Sequence, residues 1–134
     1  MILNISEAAN LGIHALAYLA RHAEEAPVNT ASIAAAYGVS EAHLSKVFQR
    51  LSKAGLVRSV RGPHGGFSLA RAPLRITLRD IYEALDGPIG KGKCLLGKPK
   101  CGLGRCVFGD LVTDVHKRVA DHFSKTTLAE VCGL

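Results

Sequence analysis

A chain of 134 residues with 48% apolar and 21% charged side chains is enough for one domain with its own core and is not a disordered composition. No apolar run reaches the roughly 18 residues of a membrane-spanning helix, and the first basic residue is Arg21, which excludes the charged start of a signal peptide; the expectation is a cytoplasmic protein with no membrane partner. The net charge of +6 is unevenly spread: residues 42–79 hold eight bases and no acid, and residues 88–109 hold five more with no acid, the pattern of a surface that meets a polyanion.

In chain order, Ser6 stands before Ala9, Ile13, Leu16, Ala17 and Ala20, which recur at helical spacing and predict a capped first helix to about His22. EEAPVN (24–29) breaks it. TASIAAAYG (30–38) reads as a short helix started by Thr30 or Asn29 and ended by Gly38. Ser40 then caps SEAHLSKVFQRLSKAG (40–55), whose Leu44, Val47, Phe48 and Leu51 form one buried stripe, with Gly55 at the end. The other face carries His43, Ser45, Lys46, Gln49, Arg50 and Lys53. A short helix, a glycine turn and a second helix with a polar, basic outer face make a helix-turn-helix pattern.

LVRSV (56–60) and FSLA (67–70) alternate around RGPHGG (61–66), which predicts a hairpin. A basic hairpin directly after such a helix is a wing, with Arg58 at its base, Arg61 at its tip and Arg71 at its exit. An arginine there suits the negative potential of a narrow minor groove. TLRDIYEALDG (77–87) starts with a Thr77–Asp80 capping box, ends at Gly87 and turns Ile81, Ala84 and Leu85 to the core. Residues 88–109 are too rich in Gly, Pro and Lys for regular structure. Asp110 then caps a last long helix to about Lys125, with Leu111, Val115, Val119 and Phe123 on one stripe and Val112 and His122 beside it. TTLAEVCGL (126–134) is a short capped turn. The expected fold is mainly α with a small β-hairpin wing: a winged helix-turn-helix (1–87), a cysteine-rich sensor loop (88–109), and a C-terminal dimerisation helix with its tail (110–134). The last helix is assigned to a pair because palindromic DNA sites call for two-fold dimers.

CLLGKPKCGLGRC (94–106) gathers three of the four cysteines. A reducing compartment favours metal or redox chemistry over a structural disulfide. Thiolates on a glycine-rich loop can converge on one centre, and the surrounding bases offset their charge. Zinc with three cysteines and a histidine, a metal-free thiol switch, and three free cysteines stand as the other readings; C-x-x-C spacing is absent. Cys132 reads as a packing residue, His64 as a solvated loop histidine, and His116 and His122 as surface or interface residues. No Ser-His-Asp, paired-carboxylate or phosphate-loop constellation appears, so an enzyme is not expected.

Together, LSKVFQRLSKAGLVRSVRGPHGGFSLAR (44–71), ITLRDIYEALDGPI (76–89) and the cysteines that follow resemble the Rrf-type family of winged-helix transcriptional regulators, the IscR/NsrR/CymR family. The resemblance implies a homodimer on double-stranded palindromic operator DNA, with a recognition helix in each major groove and a wing in each minor groove. By position it places Ser40, Ser45, Lys46 and Gln49 on the DNA side and makes Arg61 the minor-groove arginine; His43, Arg50 and Arg58 share those surfaces. It implies an iron–sulfur cluster (2Fe-2S or 4Fe-4S) held by Cys94, Cys101 and Cys106. One branch takes a further ligand from the partner's first helix, where this chain has Asn10, with Glu7 one turn before and His14 one turn after. Gly109 stands where another branch has a histidine, and the cysteine gaps of six and four residues are less even than the family's. The implied function is a redox sensor and repressor responding to redox, nitric oxide or iron–sulfur status. The alternative is a thiol-switch or zinc-binding regulator of the same fold.

Overall fold

The computed structural model describes residues 4–90, 94–96 and 102–134. Helix α1 (Glu7–Arg21) starts at Ser6, whose hydroxyl oxygen accepts from the Ala9 N–H at 3.0 Å. Its buried face is broader than the predicted stripe. Ala9, Leu11, Ala15, Leu16, Leu19 and Ala20 are buried, while Ile13 and Ala17 lie half-buried at the edge. The reason is tertiary: α1 is covered on several sides by helices that come later in the chain. At Gly12 an added Cβ would lie 2.4 Å from Leu85 Cδ1, so the bare glycine sets how closely the helix of residue 85 approaches.

A 3₁₀ turn (Ala23–Glu25) leads to α2 (Thr30–Tyr37). Asn29, not Thr30, is its cap, accepting from the Ser32 N–H at 2.8 Å. Ser40 caps α3 (Glu41–Lys53), and the stripe of Leu44, Val47, Phe48 and Leu51 is buried as predicted. Strands β1 (Val57–Val60) and β2 (Gly66–Leu69) pair antiparallel in the register Val57–Leu69, Arg58–Ser68, Ser59–Phe67 and Val60–Gly66. Phe48 stacks on Phe67 with centroids 4.3 Å apart, locking the wing to α3.

The segment read only as a helix break also supplies a bridging residue. Val28 donates to the Phe67 carbonyl at 2.9 Å and accepts from the Phe67 N–H at 2.8 Å, pairing with the free edge of β2. That approach requires Gly66: at its φ of +157° a Cβ would sit 2.2 Å from the Val28 carbonyl oxygen.

A 3₁₀ turn (Pro73–Arg75) precedes α4 (Leu78–Asp86). Both halves of its capping box are formed: Thr77 Oγ1 accepts from the Asp80 N–H at 3.1 Å, and Asp80 Oδ2 from the Thr77 N–H at 2.9 Å. Ile81 and Leu85 are buried and Ala84 half-buried. Helix α5 (Leu111–Lys125) corrects two expectations. Asp110 precedes it with ψ near 0°, and its side chain makes no capping bond; its carbonyl instead accepts from the Asp114 N–H at 2.9 Å. The buried stripe is shifted, with Val112 and Phe123 buried and Leu111 53% exposed. Within the protomer α5 lies against α4, where Phe123 meets Tyr82 edge-on at 5.6 Å, so one side of it is covered.

The last residues return to the first. Thr127 caps α6 (Leu128–Cys132), accepting from the Glu130 N–H at 3.2 Å. A bridge between Thr77 and Thr127 sends the Leu78 N–H to the Thr126 carbonyl at 3.0 Å and the Leu128 N–H to the Ile76 carbonyl at 2.7 Å. Leu128 is fully buried in the same core as Leu16, Ile33, Phe48 and Ile81. Cys132 packs there too, its Sγ donating to the Ala17 carbonyl at 3.6 Å, and burial raises its thiol above the ordinary value. Among the described residues no helix is long and apolar enough to cross a membrane.

Candidate nucleic-acid interface and cysteine loop

Helices α2 and α3 with the hairpin form one rigid unit, because the stripe of α3 is buried between the other helices and Phe67. Its outward side chains are those the sequence points to. Ser40, Lys46, Gln49 and Lys53 are exposed and Ser45 is half-buried. Ser40 also accepts from the His43 N–H at 3.1 Å, so its hydroxyl keeps a donor for a phosphate or base edge. Arg58 and Arg61 are exposed on the hairpin. The ion pairs among the described residues are Arg79–Glu83 and Lys117–Asp121, so Lys46, Lys53, Arg58 and Arg61 have no carboxylate partner there. Unpaired bases on a convex helix and wing can neutralise phosphates, while Gln49 and Ser45 carry the donor and acceptor groups that read base edges.

Two predicted contact residues are placed differently from their neighbours. His43 is half-buried, and its Nε2 has no hydrogen-bond partner among the described residues. Arg50 directs its guanidinium to the carbonyl of Leu85 at the end of α4. That contact spans 35 residues of sequence and leaves no periodic signal, so helical periodicity places Arg50 simply among the outer residues of α3.

Cys94 and Cys106 are exposed free thiols. Cys101 lies outside the described residues, as do Lys91, Lys93, Lys98 and Lys100. Among the described residues no three His, Cys, Asp or Glu side chains gather as a metal site. The stem of the loop is held: the Ile89 N–H donates to Glu83 Oε1 at 3.0 Å, and His116 Nε2 donates to the Gly90 carbonyl. At its far end the Gly109 N–H meets the Cys106 carbonyl at 3.0 Å. Of the histidines expected at the surface, His64 and His122 are exposed, while His116 makes this stem contact.

Glu7, Asn10 and His14 are exposed on one face of α1. His14 Nδ1 lies 2.7 Å from the Asn10 carbonyl. A carbonyl only accepts, so Nδ1 carries a proton, which in the neutral ring is the tautomer that leaves Nε2 as the metal-binding nitrogen. Tyr37 fixes the same turn, its hydroxyl donating to the His14 carbonyl at 3.0 Å. Around the loop Leu103, Val107, Phe108 and Leu111 stand 49% exposed or more, an apolar surface the protomer does not cover.

A helix-turn-helix with a basic hairpin pinned to its second helix defines a winged-helix DNA-binding protein, mainly α with one small hairpin. The sequence profile of the Rrf2 family, described as "Iron-dependent Transcriptional regulator", matches residues 5–133, and the chain belongs to this family. A protein of Erwinia tasmaniensis named HTH-type transcriptional regulator IscR is 38% identical over 120 residues, which are 89% of this chain and 72% of that one. The structure of CymR (YrzC), titled the global cysteine regulator of B. subtilis, superposes with a TM-score of 0.83 at 31% identity, covering 98% of this chain and 97% of that one. T. potens IscR superposes with a TM-score of 0.76 at 34% identity, over 98% of this chain and 87% of its own. The protein is a DNA-binding transcriptional regulator, and its relatives are named as regulators, not enzymes.

Proposed function

We propose that the protein acts in the cytoplasm as a homodimeric, sequence-specific regulator on palindromic operator DNA. In this reading Ser40, Ser45, Lys46 and Gln49 meet the major groove, with His43 and Arg50 at its margin, and Arg58 and Arg61 meet the backbone and minor groove. An iron–sulfur cluster on Cys94, Cys101 and Cys106 sets its affinity. The carrying observation is that one chain joins exposed bases on α3 and the wing, within the acid-free stretch 42–79, to a loop with exposed free thiols. Soft thiolate donors fit iron–sulfur ligation, and the bases of residues 88–109 offset the charge of thiolates and cluster. A bound cluster supplies a one-electron centre that oxidants and nitric oxide attack.

Three cysteines leave one position, which a donor on α1 of the partner subunit, as in one branch of the family, or a non-protein ligand would complete, unless the iron there stays open. Asn10 is a weak donor for iron. Glu7 offers a carboxylate, and His14, when neutral, offers Nε2, with its Nδ1–H held by the Asn10 carbonyl. Two copies meeting along α5 would cover Leu103, Val107, Phe108 and Leu111. Residues 1–87 then bind, 88–109 sense and 110–134 dimerise, with α6 returning to the core.

The test is anaerobic purification followed by the visible spectrum and iron and sulfide analysis, repeated on Cys101→Ala. A brown wild type with matched iron and sulfide, bleached in the variant, is expected. A colourless, iron-free protein whose DNA affinity still changes with oxidant replaces the cluster with a thiol switch, for which exposed Cys94 and Cys106 are suited. Zinc without colour gives the zinc-binding form.

A further inference from the structure

The last turn of α4 is where the cysteine loop and the recognition helix meet. A helix ends with carbonyls that have no partner inside the helix, and their partial negative charge favours a cation. Leu85 belongs to this turn, and its carbonyl is taken by the Arg50 guanidinium from α3. One residue on, the Asp86 carboxylate accepts from the Ser6 N–H at 3.0 Å and from the Ser6 hydroxyl, at the start of α1. One turn earlier, Glu83 Oε1 accepts from Arg79 Nε at 2.8 Å and from the Ile89 N–H at 3.0 Å. Arg79 Nη1 continues to Ser124 Oγ on α5 at 3.2 Å. The stem is therefore held from both sides, Ile89 by α4 and Gly90 by His116 of α5.

We propose that Glu83 and Arg79 are positioning residues, which tie the stem of the cysteine loop to α4 so that a change in the loop reaches the recognition helix through Leu85 and Arg50. The inference takes from the reading above only that the loop is the sensor. Its physical basis is stiffness. Ile81 and Leu85 of α4 are buried in the common core, so α4 shifts as a body rather than bending at one side chain. A pull on Ile89 is then delivered at Glu83, two residues before the carbonyl that holds Arg50. Arg50 sits in the last turn of α3, so it sets the tilt of that helix while Lys46, one turn earlier, and Gln49, the residue before it, face outward. Without the Glu83 side chain the Ile89 N–H loses its acceptor on α4, while the Gly87 N–H bond to the Glu83 carbonyl and the His116 contact with Gly90 remain.

Coupling of this kind is reciprocal: if the loop biases DNA binding, DNA binding must bias the loop by the same free energy. That permits a test without any cluster. The full chain, free of metal, is studied by hydrogen exchange with and without a duplex that the protein itself has selected from a random-sequence pool. In the wild type, DNA slows exchange in the peptide 87–94 by about fivefold or more. Glu83→Gln, whose amide oxygen still accepts from Ile89, keeps most of the response. Glu83→Ala loses it while binding the duplex within about threefold of wild type, because Glu83 touches no DNA-facing group. Ile89→Pro removes the same hydrogen bond from its donor side without altering α4, and loses the response too, which guards against a misfolded Glu83→Ala.

A wild-type stem indifferent to DNA overturns the proposal, and so does an undiminished response in both Glu83→Ala and Ile89→Pro. The sensor reading fails on a separate result, equal DNA affinity of cluster-loaded and metal-free protein.

Discussion

In the winged module the four large apolar side chains of the α3 stripe are buried within the protomer, Leu44, Phe48 and Leu51 completely. Between residues 94 and 111 the pattern is reversed: Leu95, Leu96, Leu103, Val107, Phe108 and Leu111 are each at least 44% exposed. The same apolar chemistry closes a core in one region and stays exposed on the protomer in the other. A module that must hold a recognition helix and wing at fixed spacing gains from internal closure. A segment whose state must change gains from depending on a second subunit or a bound centre.

The largest effect comes from breaking closure where it is most complete. Phe48 is fully buried and stacked on Phe67, so Phe48→Ala removes one of the core's links to the wing. The expected loss is about 3–5 kcal/mol, seen as a melting temperature lower by ~10 °C or more. A drop of only a few degrees would mean that α3 and the wing are held by other contacts.

Next in size is the surface that this closed module presents. Arg61 is exposed at the hairpin tip and has no carboxylate partner among the described residues. Arg61→Ala is expected to weaken binding to a selected duplex by about 1–3 kcal/mol, most on sites with a narrow, A·T-rich minor groove, and to leave the melting temperature unchanged. Binding that falls uniformly on all duplexes, with a salt slope smaller by about one, assigns Arg61 to a phosphate instead.

The sequence showed most where structure is local. Capping by Ser6, Ser40 and Thr77, the buried stripe of α3 and the hairpin around RGPHGG depend on residues within a few positions of each other, and all form. It was less readable where the partner is distant. Val28 pairs with Phe67 through backbone groups that carry no side-chain signal, and Arg50 finds a carbonyl 35 residues away. The width of the buried face of α1 follows from α4 and α6 both covering it. On α5 the stripe shifted because α4 covers only one side, so periodicity identified an amphipathic helix but not which apolar residues the protomer itself buries. The cysteines are conspicuous as a motif, yet bringing three thiols to one centre would depend on chain geometry that composition does not encode.

The exposed side of α5 gives the third test. Leu111→Asp places a charge on the apolar surface left open around the loop. If two copies meet there, sedimentation should show a dimer dissociation constant raised about tenfold or more, with the melting temperature of the isolated protomer little changed. An unchanged association constant moves the interface away from the start of α5.

The smallest effect belongs to a pair on the same helix. Lys117 Nζ and Asp121 Oδ2 are 2.6 Å apart on the surface of α5, with side chains 74% and 48% exposed. Lysine before the acid at this spacing is the weaker orientation, and the carboxylate lies toward the negative end of the helix. The hydrogen bond from Lys117 holds the Asp121 carboxyl below its ordinary value, and the same bond raises Lys117 above its own. The acid's contribution is therefore present above the ordinary carboxylate range and lost as pH falls through its lowered value. The lysine's contribution is present below the ordinary lysine range and lost as pH rises through its raised one. Solvent and salt screen both. Asp121→Asn should lower the melting temperature slightly at neutral pH, with no difference in strong acid or in ~1 M salt. A larger drop that survives both conditions would place Asp121 beneath a second subunit, on the uncovered side of α5 rather than in solvent.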